Sequence, residues 1–318
     1  MKKLNCKNCG GTMAVDPSGA QALCPYCGTR YVLDHRDTDY YLDFYKTMRG
    51  FLSLSNDDKL RRRRADELWE GADQTLFETR DGKKIDVRSM YARGDKNLTA
   101  YTARRNIILN FAAGSTENAD KFRRNAALLD YPSADTRSLS DFFPEITGGY
   151  PLADGSSLLV LKKSEDEYPL RMFGKLSGRH TAWLIGRLEN LCCVLEYNSL
   201  VHPDICEDTL YIDPYTHQAS LYLGWEKVVK NNTKGLTTTL NLVRLRETAA
   251  RVLGFENTDA VQPTDDIPAP FADFLKSAPK ATAYDDFAYW DEVLIKSYGE
   301  RKFITMDTDD EKIYKEGD

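Results

Sequence analysis

The chain has 318 residues, of which 42% are hydrophobic and 29% are charged, and its formal net charge is −6 at pH 7. This composition is that of an ordinary globular protein, with material for one large domain or two medium ones. The sequence has no apolar run of about eighteen residues, so we expect no membrane-spanning helix. Its negative charge gives no general attraction to nucleic acid.

Four cysteines near the start form two Cys-x-x-Cys pairs, Cys6 with Cys9 and Cys24 with Cys27. A glycine follows each pair, which lets backbone amides fold tightly around a thiolate as in the knuckles of a zinc ribbon. Four thiolates leave no open coordination position, so we predict one structural Zn²⁺ in residues 1–33. A segment of about thirty residues cannot bury a sufficient core alone, so this module would depend on its metal.

Two disulfides, or four unrelated buried thiols, are the alternatives to zinc. Disulfides need an oxidising compartment, and no apolar leader follows Met1. We therefore expect a reducing, cytoplasmic location.

Residues 34–74 are predicted to form linker helices. Aromatic and apolar side chains recur at three- and four-residue steps over residues 38–52, and residues 57–72 have a helical composition. The basic run Arg61–Arg64 is flanked by acidic residues, which indicates a solvated, ion-paired helix face. A nucleic-acid contact is the alternative interpretation of this run.

From about residue 75 the hydrophobic period changes to that of strands. We predict strands at 84–90 and 105–111 around a loop at 91–101, a helix at 116–129, and a buried strand at 156–162. Helices dominate after residue 180. An apolar stripe predicts a long helix ending near Leu200, and it consists of Leu184, Leu188, Leu191 and Leu195.

The long helix is followed by a strand pair around the turn at Asp213-Pro214, then by helices at 237–253 and 285–298. The acidic tail, residues 301–318, is predicted to be a solvated end. No Gly-x-Ser-x-Gly or His-Glu-x-x-His motif occurs, so the sequence gives no indication of those hydrolase chemistries.

One order of parts stands out in the second half: the long helix, then His202-Pro203-Asp204, then a strand at 210–212, then residues 219–222, then Leu223-Gly224-Trp225. This order resembles the catalytic centre of the protein kinase fold. In that family a His-Arg-Asp loop supplies the catalytic base and an asparagine five residues after that aspartate binds magnesium. Asp-Phe-Gly follows the next hairpin.

The resemblance assigns a role to several positions of this chain. Asp204 matches the loop aspartate, Thr209 takes the place of the magnesium-binding asparagine, and Leu223 takes that of the Asp-Phe-Gly aspartate. Upstream, Asn110 falls at the phosphate-binding lysine and Asn125 near the glutamate that pairs with it. The resemblance implies an α+β, two-lobed kinase-like domain, with a β-rich N-lobe at 75–165 and a helical C-lobe at 166–300.

The resemblance also implies a loss of activity. Both magnesium ligands and the phosphate-binding lysine are replaced, and the covering loop contains only Gly94, so ATP and Mg²⁺ are not expected as cofactors. Asp204 would be vestigial and would accept backbone hydrogen bonds that hold its loop. We therefore predict a pseudokinase that works as a scaffold or signalling protein by binding a protein partner, with no catalytic residue.

Two other functions remain open. One is an atypical Ser/Thr protein kinase that recruits Asp208 or Glu207 as unusual metal ligands. The other is a nucleic-acid-binding protein that uses the zinc ribbon and its nearby basic residues.

Overall fold

The computed structural model describes residues 13–15, 21–27, 30–32, 65–67, 69–133, 136–231, 236–299 and 306. The chain forms two compact units, Met1–Glu70 and Gly71–Asp318. The larger unit has a sheet-rich part followed by a helical part, which agrees with the α+β, two-lobed architecture predicted from the sequence. Within the described ranges, no helix is both long enough and apolar enough to cross a membrane.

The described part of the smaller unit contains three short antiparallel strands. They are β1 (Ala14–Val15), β2 (Gln21–Leu23) and β3 (Arg30–Val32), in the order β1-β2-β3. Cys24 directly follows β2, and residues 25–27 form a turn before β3. Residues 65–67 and 69–70 are helical, as predicted for this stretch. The predicted helix at 38–52 and the basic run at 61–64 lie outside the described residues.

The larger unit begins with a six-stranded antiparallel sheet in the order β4-β5-β6-β7-β9-β8. Its strands are β4 (Asp73–Glu78), β5 (Lys84–Gly94), β6 (Leu98–Ala103), β7 (Asn106–Phe111), β8 (Glu145–Pro151) and β9 (Ser157–Lys162). Helix α1 (Thr116–Ala126) lies between β7 and β8 in the chain. The predicted strands at 84–90, 105–111 and 156–162 are confirmed. The helix predicted at 116–129 is also present, but it ends at Ala126.

Two boundaries in this region were predicted wrongly. The loop expected at 91–101 is mostly strand, because Asp95 accepts hydrogen bonds from the amides of Asn97 and Leu98 and so forms a tight turn between β5 and β6. Strand β4 starts at Asp73, so the last two residues of the predicted linker at 34–74 belong to the sheet.

The two faces of the sheet carry different clusters, because alternate residues of a strand point to opposite faces. On one face, called here the curled face, Phe77, Val87, Ile108 and Leu158 pack together. A bridge between Thr79 and Leu152 joins the two outer hairpins, so the sheet curls around this cluster. The opposite face, called the core face, packs on the main core and carries Ile107, Leu109, Phe111, Leu159 and Leu161.

A β-bulge in β5 changes the face that the end of this strand uses. Its pairing with β6 shifts between Ser89 and Tyr91. Val87, before the bulge, packs on the curled face. One inserted residue reverses the alternation, so Tyr91, opposite Thr102, and then Arg93 lie on the core face.

Where the structure describes the helical part, it contains four helices, α2 (Gly178–Tyr197), α3 (Leu236–Val252), α4 (Ala269–Lys276) and α5 (Ala283–Tyr298). Its short strands are β10 (Tyr168–Pro169), β11 (Leu200–Val201), β12 (Leu210–Asp213), β13 (Gln218–Leu221) and β14 (Val229–Lys230). Short 3-10 helices occur at Ala113–Ser115, Thr136–Phe142, Leu170–Phe173 and Trp225–Lys227.

The long predicted helix and both later helices are present, with one difference in length. Helix α2 ends at Tyr197 and not at Leu200, because Leu200 and Val201 pair with β14 as a strand. Helix α4 was not predicted from the sequence. It has only eight residues, which is shorter than the windows in which helical periodicity is reliable.

One apolar core runs from the core face of the sheet through the helical part. The predicted leucine stripe of α2 is buried in this core, which confirms its role. Met306 also lies there and is only 5% exposed. The prediction of a solvated tail at 301–318 is therefore wrong at Met306, because burying its apolar side chain outweighs the acidic character of the segment. Residues 307–318 lie outside the described residues.

A buried ionic cluster joins three of the helices. Arg246 on α3 donates hydrogen bonds to both carboxylate oxygens of Asp286 on α5, each at 2.9 Å. Glu189 on α2 is fully buried beside them. Burial, together with the neighbouring Asp286 carboxylate, raises the pKa of Glu189 to about 10. Glu189 is therefore protonated at neutral pH, and the cluster holds one positive and one negative charge.

Candidate functional site

A cleft of about 710 Å³ lies between the sheet-rich and helical parts of the larger unit. Its walls come from strands β5, β6 and β7, from helix α1, from the loop between β11 and β12, and from the segment after β13. Of the residues singled out in the sequence, Asp204, Thr209 and Leu223 line this cleft, whereas Asn110 and Asn125 are not part of its wall.

Asp204 is held by a lysine from the neighbouring segment. Its Oδ2 accepts a hydrogen bond from Lys227 Nζ at 2.6 Å, and this bond raises the pKa of the Lys227 ammonium group. We expected the Asp204 carboxylate to accept backbone hydrogen bonds, and that expectation is wrong: its bonding partner is the Lys227 side chain. The carboxylate charge is thus balanced inside the cleft.

Thr209 holds the loop in place of Asp204. Its hydroxyl bonds the carbonyl oxygen of Asp204 and lies 3.1 Å from both the carbonyl oxygen and the amide nitrogen of Cys206. These contacts use the single O–H donor of the hydroxyl group and one of its two acceptor lone pairs. Thr209 is therefore a structural residue of the loop.

Leu223 contributes its side chain to the cleft wall and its backbone to a buried histidine. Its carbonyl oxygen lies 2.9 Å from Nε2 of His202, which is fully buried. Burial lowers the pKa of His202 to about 4, so the imidazole is neutral and its Nε2–H donates to the Leu223 carbonyl.

The next residue, Gly224, has a φ of +83°, a conformation that side chains with a Cβ disfavour. A Cβ at this position would lie 2.8 Å from Cε1 of His202 and 3.3 Å from Cγ2 of Thr209. Both the conformation and the space therefore require glycine here.

Asn110 does not occupy the position that the resemblance implied. Across the sheet it is opposite Leu158, which packs on the curled face, and its Oδ1 is buried without a hydrogen-bond partner. Its neighbour Phe111 lies on the core face and lines the cleft. The assignment of Asn110 to the phosphate-binding position is therefore wrong, because it is displaced by one residue and so by one face.

Asn125 also lacks the partner expected for it. Its Nδ2 donates to the carbonyl oxygens of Trp225 and Val228, at 2.8 and 2.9 Å. These bonds tie helix α1 to the segment after Leu223. The role that the resemblance implied for Asn125, as the partner of the residue at the phosphate-binding position, is therefore wrong.

The carboxylates proposed as unusual metal ligands are both paired with arginine. Arg171 donates to both carboxylate oxygens of Asp208, and Arg93 lies 3.0 Å from the same group. Glu207 accepts two bonds from Nε of Arg251, at 2.9 and 3.0 Å. A metal ion at either carboxylate would have to displace a guanidinium group.

Two further carboxylates line the cleft. Asp95 accepts the amide hydrogen bonds of Asn97 and Leu98, which lower its pKa. Glu226 is largely buried, and burial raises its pKa. Asp95 is thus an anion engaged with its own turn, whereas Glu226 is biased towards its neutral form.

Sequence reasoning missed three cations of the cleft wall, Arg93, Lys121 and Lys227. Lys121 was detectable in part, because it precedes Asn125 by four residues and so shares its face of α1. Lys227 follows Leu223 closely in sequence. Arg93 had no sequence signal, because only the bulge brings it to the core face.

The predicted zinc knuckle is described only in part. Cys24 is buried and Cys27 is exposed on the turn between β2 and β3. Cys6 and Cys9 lie outside the described residues, so the four-cysteine set stays a prediction. Within the residues that are described, no group of three or more His, Cys, Asp or Glu side chains is arranged to hold a metal ion.

Comparisons with known proteins find likenesses among solved structures. No protein-family model matches this chain, and no curated protein matches it. Among solved structures, the kinase domain of a Toxoplasma gondii specific rhoptry antigen is similar, with a TM-score of 0.46 and 10% sequence identity. The match covers 76% of this chain and 92% of that one. A likeness of this degree leaves fold family and function to be inferred from the chain's own geometry.

Proposed function

We propose that residues 71–318 form a protein-kinase-like domain without phosphoryl-transfer activity, which acts by binding a protein partner. The order of elements supports the kinase-like assignment. A curled antiparallel sheet carries a helix before its last two strands. A long helix, a loop with Asp204 and a β-hairpin ending at Leu223 follow, and both Asp204 and Leu223 line one interlobe cleft.

The ion pair between Lys227 and Asp204 is the observation that carries the proposal of inactivity. Phosphoryl transfer needs an aspartate free to accept a hydroxyl proton and carboxylates free to hold magnesium. Here the ammonium group of Lys227 lies 2.6 Å from Asp204 Oδ2, so the aspartate at the position of the family's catalytic base is already engaged by a cation.

The remaining positions of the cleft support the same conclusion. Leu223 has no metal ligand in its side chain, the hydroxyl of Thr209 is bonded within its loop, and Phe111 faces the cleft from β7. Each loss removes several kcal/mol of transition-state stabilisation in this type of reaction. Together these losses support the proposal that the cleft does not position a magnesium nucleotide for transfer.

We propose a structural zinc ribbon for residues 1–33. A turn between two antiparallel strands carries Cys24 and Cys27, which suits a knuckle with its amides around thiolates. Such a site would be completed by Cys6 and Cys9, and the metal would stabilise the folded module. Thiolate ligands of this kind fit a reducing compartment such as the cytoplasm.

The proposed mode of action is protein binding through two rigid modules in one chain. Linking two binding surfaces raises avidity without new contacts, because the second contact forms at a high effective concentration. Nucleic acid and membranes are not proposed as partners. Steep salt dependence of nucleic-acid binding would favour the ribbon-based alternative.

The decisive experiment measures nucleotide binding and phosphate transfer together. The full-length chain is melted with and without MgCl₂ and ATP, and it is incubated with radiolabelled ATP beside the Asp204→Ala variant. We expect no magnesium-dependent change in melting temperature and no label above that of the variant.

A magnesium-dependent rise in melting temperature, or labelling that Asp204→Ala abolishes, would establish the atypical kinase instead. Lys227→Gln is a useful second variant, because it releases the Asp204 carboxylate. If Lys227 alone silences the site, this variant should gain activity, which would overturn the view that several losses act together.

A further inference from the structure

Strand β5 reaches across the cleft and contacts the helical part at two points. The bulge places Tyr91 and Arg93 two residues apart on the core face. Tyr91 packs against the cluster of Tyr168 and Met172, which lie in β10 and in the 3-10 helix after it. Without the bulge, strand alternation would direct Tyr91 and Arg93 to the curled face, away from the cleft.

The second contact is an ion-pair network centred on Asp208. Arg93 Nε of the sheet-rich part lies 3.0 Å from Asp208 Oδ1, and Arg171 Nη2 of the helical part donates to Asp208 Oδ2 at 2.7 Å. Arg171 bonds both oxygens and so fixes the carboxylate in a planar, bidentate geometry. Asp208 is therefore pre-oriented to receive an arginine from the opposite lobe.

We propose that Tyr91, Arg93, Asp208 and Arg171 form an interlobe latch that holds the cleft closed and controls access to it. The bulge directs Tyr91 and Arg93 towards the helical part, and Tyr91 makes an apolar contact there. The ion pair between Arg93 and Asp208 is an electrostatic contact that can break and form again. This inference deepens the proposed function, because it concerns access to the same cleft. Its test uses no nucleotide, so either idea can fail alone.

The strength of the latch follows from its exposure. The Arg93 and Asp208 side chains are 48% and 35% exposed, so water and salt weaken their attraction. Losing one such pair is expected to raise the open population about two- to fivefold. About 1 M NaCl, at which the screening length falls to about 3 Å, should act on the wild-type chain in the same direction.

Cys206 provides the readout, because its half-buried thiol lines the cleft near this network. The rate of alkylation of Cys206 in the full-length chain is followed by mass spectrometry of its peptide, for wild type, Arg93→Gln and Asp208→Asn. Arg244→Gln is the matched control, because the Arg244–Glu247 pair has nearly the same exposure, 49% and 33%, but lies within α3.

The two latch variants change the local charge in opposite senses. Arg93→Gln removes a positive charge from the cleft wall, whereas Asp208→Asn removes a negative one. We expect both variants to react about two- to fivefold faster than wild type, and Arg244→Gln to react at the wild-type rate. High salt should accelerate wild type and leave Arg93→Gln nearly unchanged.

If one variant reacts faster than wild type and the other more slowly, the rates follow the sign of the charge change and not the opening of the cleft, and the latch would be rejected. Unchanged rates in both variants would reject it equally. If a variant fails to fold, as judged by its melting temperature, the salt dependence of the wild-type rate decides: no acceleration at high salt overturns the proposal.

Discussion

Substituting Gly224 by alanine tests the geometry at the bottom of the cleft. Alanine at a φ of +83° costs about 1–2 kcal/mol through its backbone alone. The added Cβ would also meet Cε1 of the buried His202 at 2.8 Å, so either the ring or the Leu223 carbonyl that it bonds has to move. Losing that hydrogen bond adds about 1–2 kcal/mol, so we expect a total loss of about 2–4 kcal/mol.

Gly82→Ala is the matched control for this substitution. Gly82 has a φ of +78°, and a Cβ added there would have no neighbouring atom within 4 Å, so its replacement carries the backbone cost only. Urea unfolding followed by tryptophan fluorescence gives both free energies, with Trp225 buried next to the site. Equal losses for the two variants would refute the claim that His202 and Gly224 are packed as described.

Three further predictions concern stability. Because the folded-state pKa of His202 is about 4 and an unfolded histidine titrates near about 6.5, the unfolded state binds more protons in between; stability should rise by about 3 kcal/mol from pH 4 to pH 6.5. His202→Gln should lose this dependence in urea titrations, and an unaltered slope would contradict the assignment. Glu189 gives stability a pH dependence of the opposite sign. Its folded-state pKa of about 10 exceeds its unfolded value, so stability is lost as pH rises above about 4.3. Glu189→Gln should flatten that decline and be the more stable protein at pH 8, and a variant weaker than wild type there would disprove the neutral glutamate. Finally, elemental analysis should find one zinc per chain, and Cys24→Ser should unfold residues 1–33 while the larger unit keeps its melting temperature. Dispersed NMR signals from a metal-free ribbon would show that zinc is not its support.

Elements with a clear apolar period could be predicted from the sequence. Strands β5, β7 and β9 and helices α1 and α2 each bury a regular set of side chains, and the resulting period is visible in a single sequence. The leucine stripe of α2 is the clearest case, since all four leucines lie in the core.

The face of a strand was harder to predict than the strand itself. The strand containing Asn110 was placed correctly, yet a displacement of one residue moves a side chain to the opposite face. Both Asn110 and Phe111 fit a strand by composition. Only the pairing with β6 and β9 decides which of them faces the cleft.

Contacts between distant parts of the chain left no local signal. Asn125 bonds to carbonyl oxygens about a hundred residues later in the chain, and Arg93 reaches Asp208 only through a bulge. A bulge depends on how two strands pair, so neither strand encodes it alone. The place of Arg93 in the cleft wall therefore became apparent only in the tertiary structure.

The hydrogen bonds that cross between the lobes have a consequence for how the domain folds. Thr102 and Tyr211 share a buried bond at 3.0 Å, Asn125 bonds Val228, and the Asp130 amide bonds Asn198. These bonds join residues that are 68 to 109 positions apart in the chain. Such contacts form slowly, because the chain loses conformational entropy before it gains the contact. The lobe boundary between residues 165 and 166 is therefore not a boundary between two units that fold independently. A chain cut there should give fragments that remain unfolded apart and regain structure only when mixed.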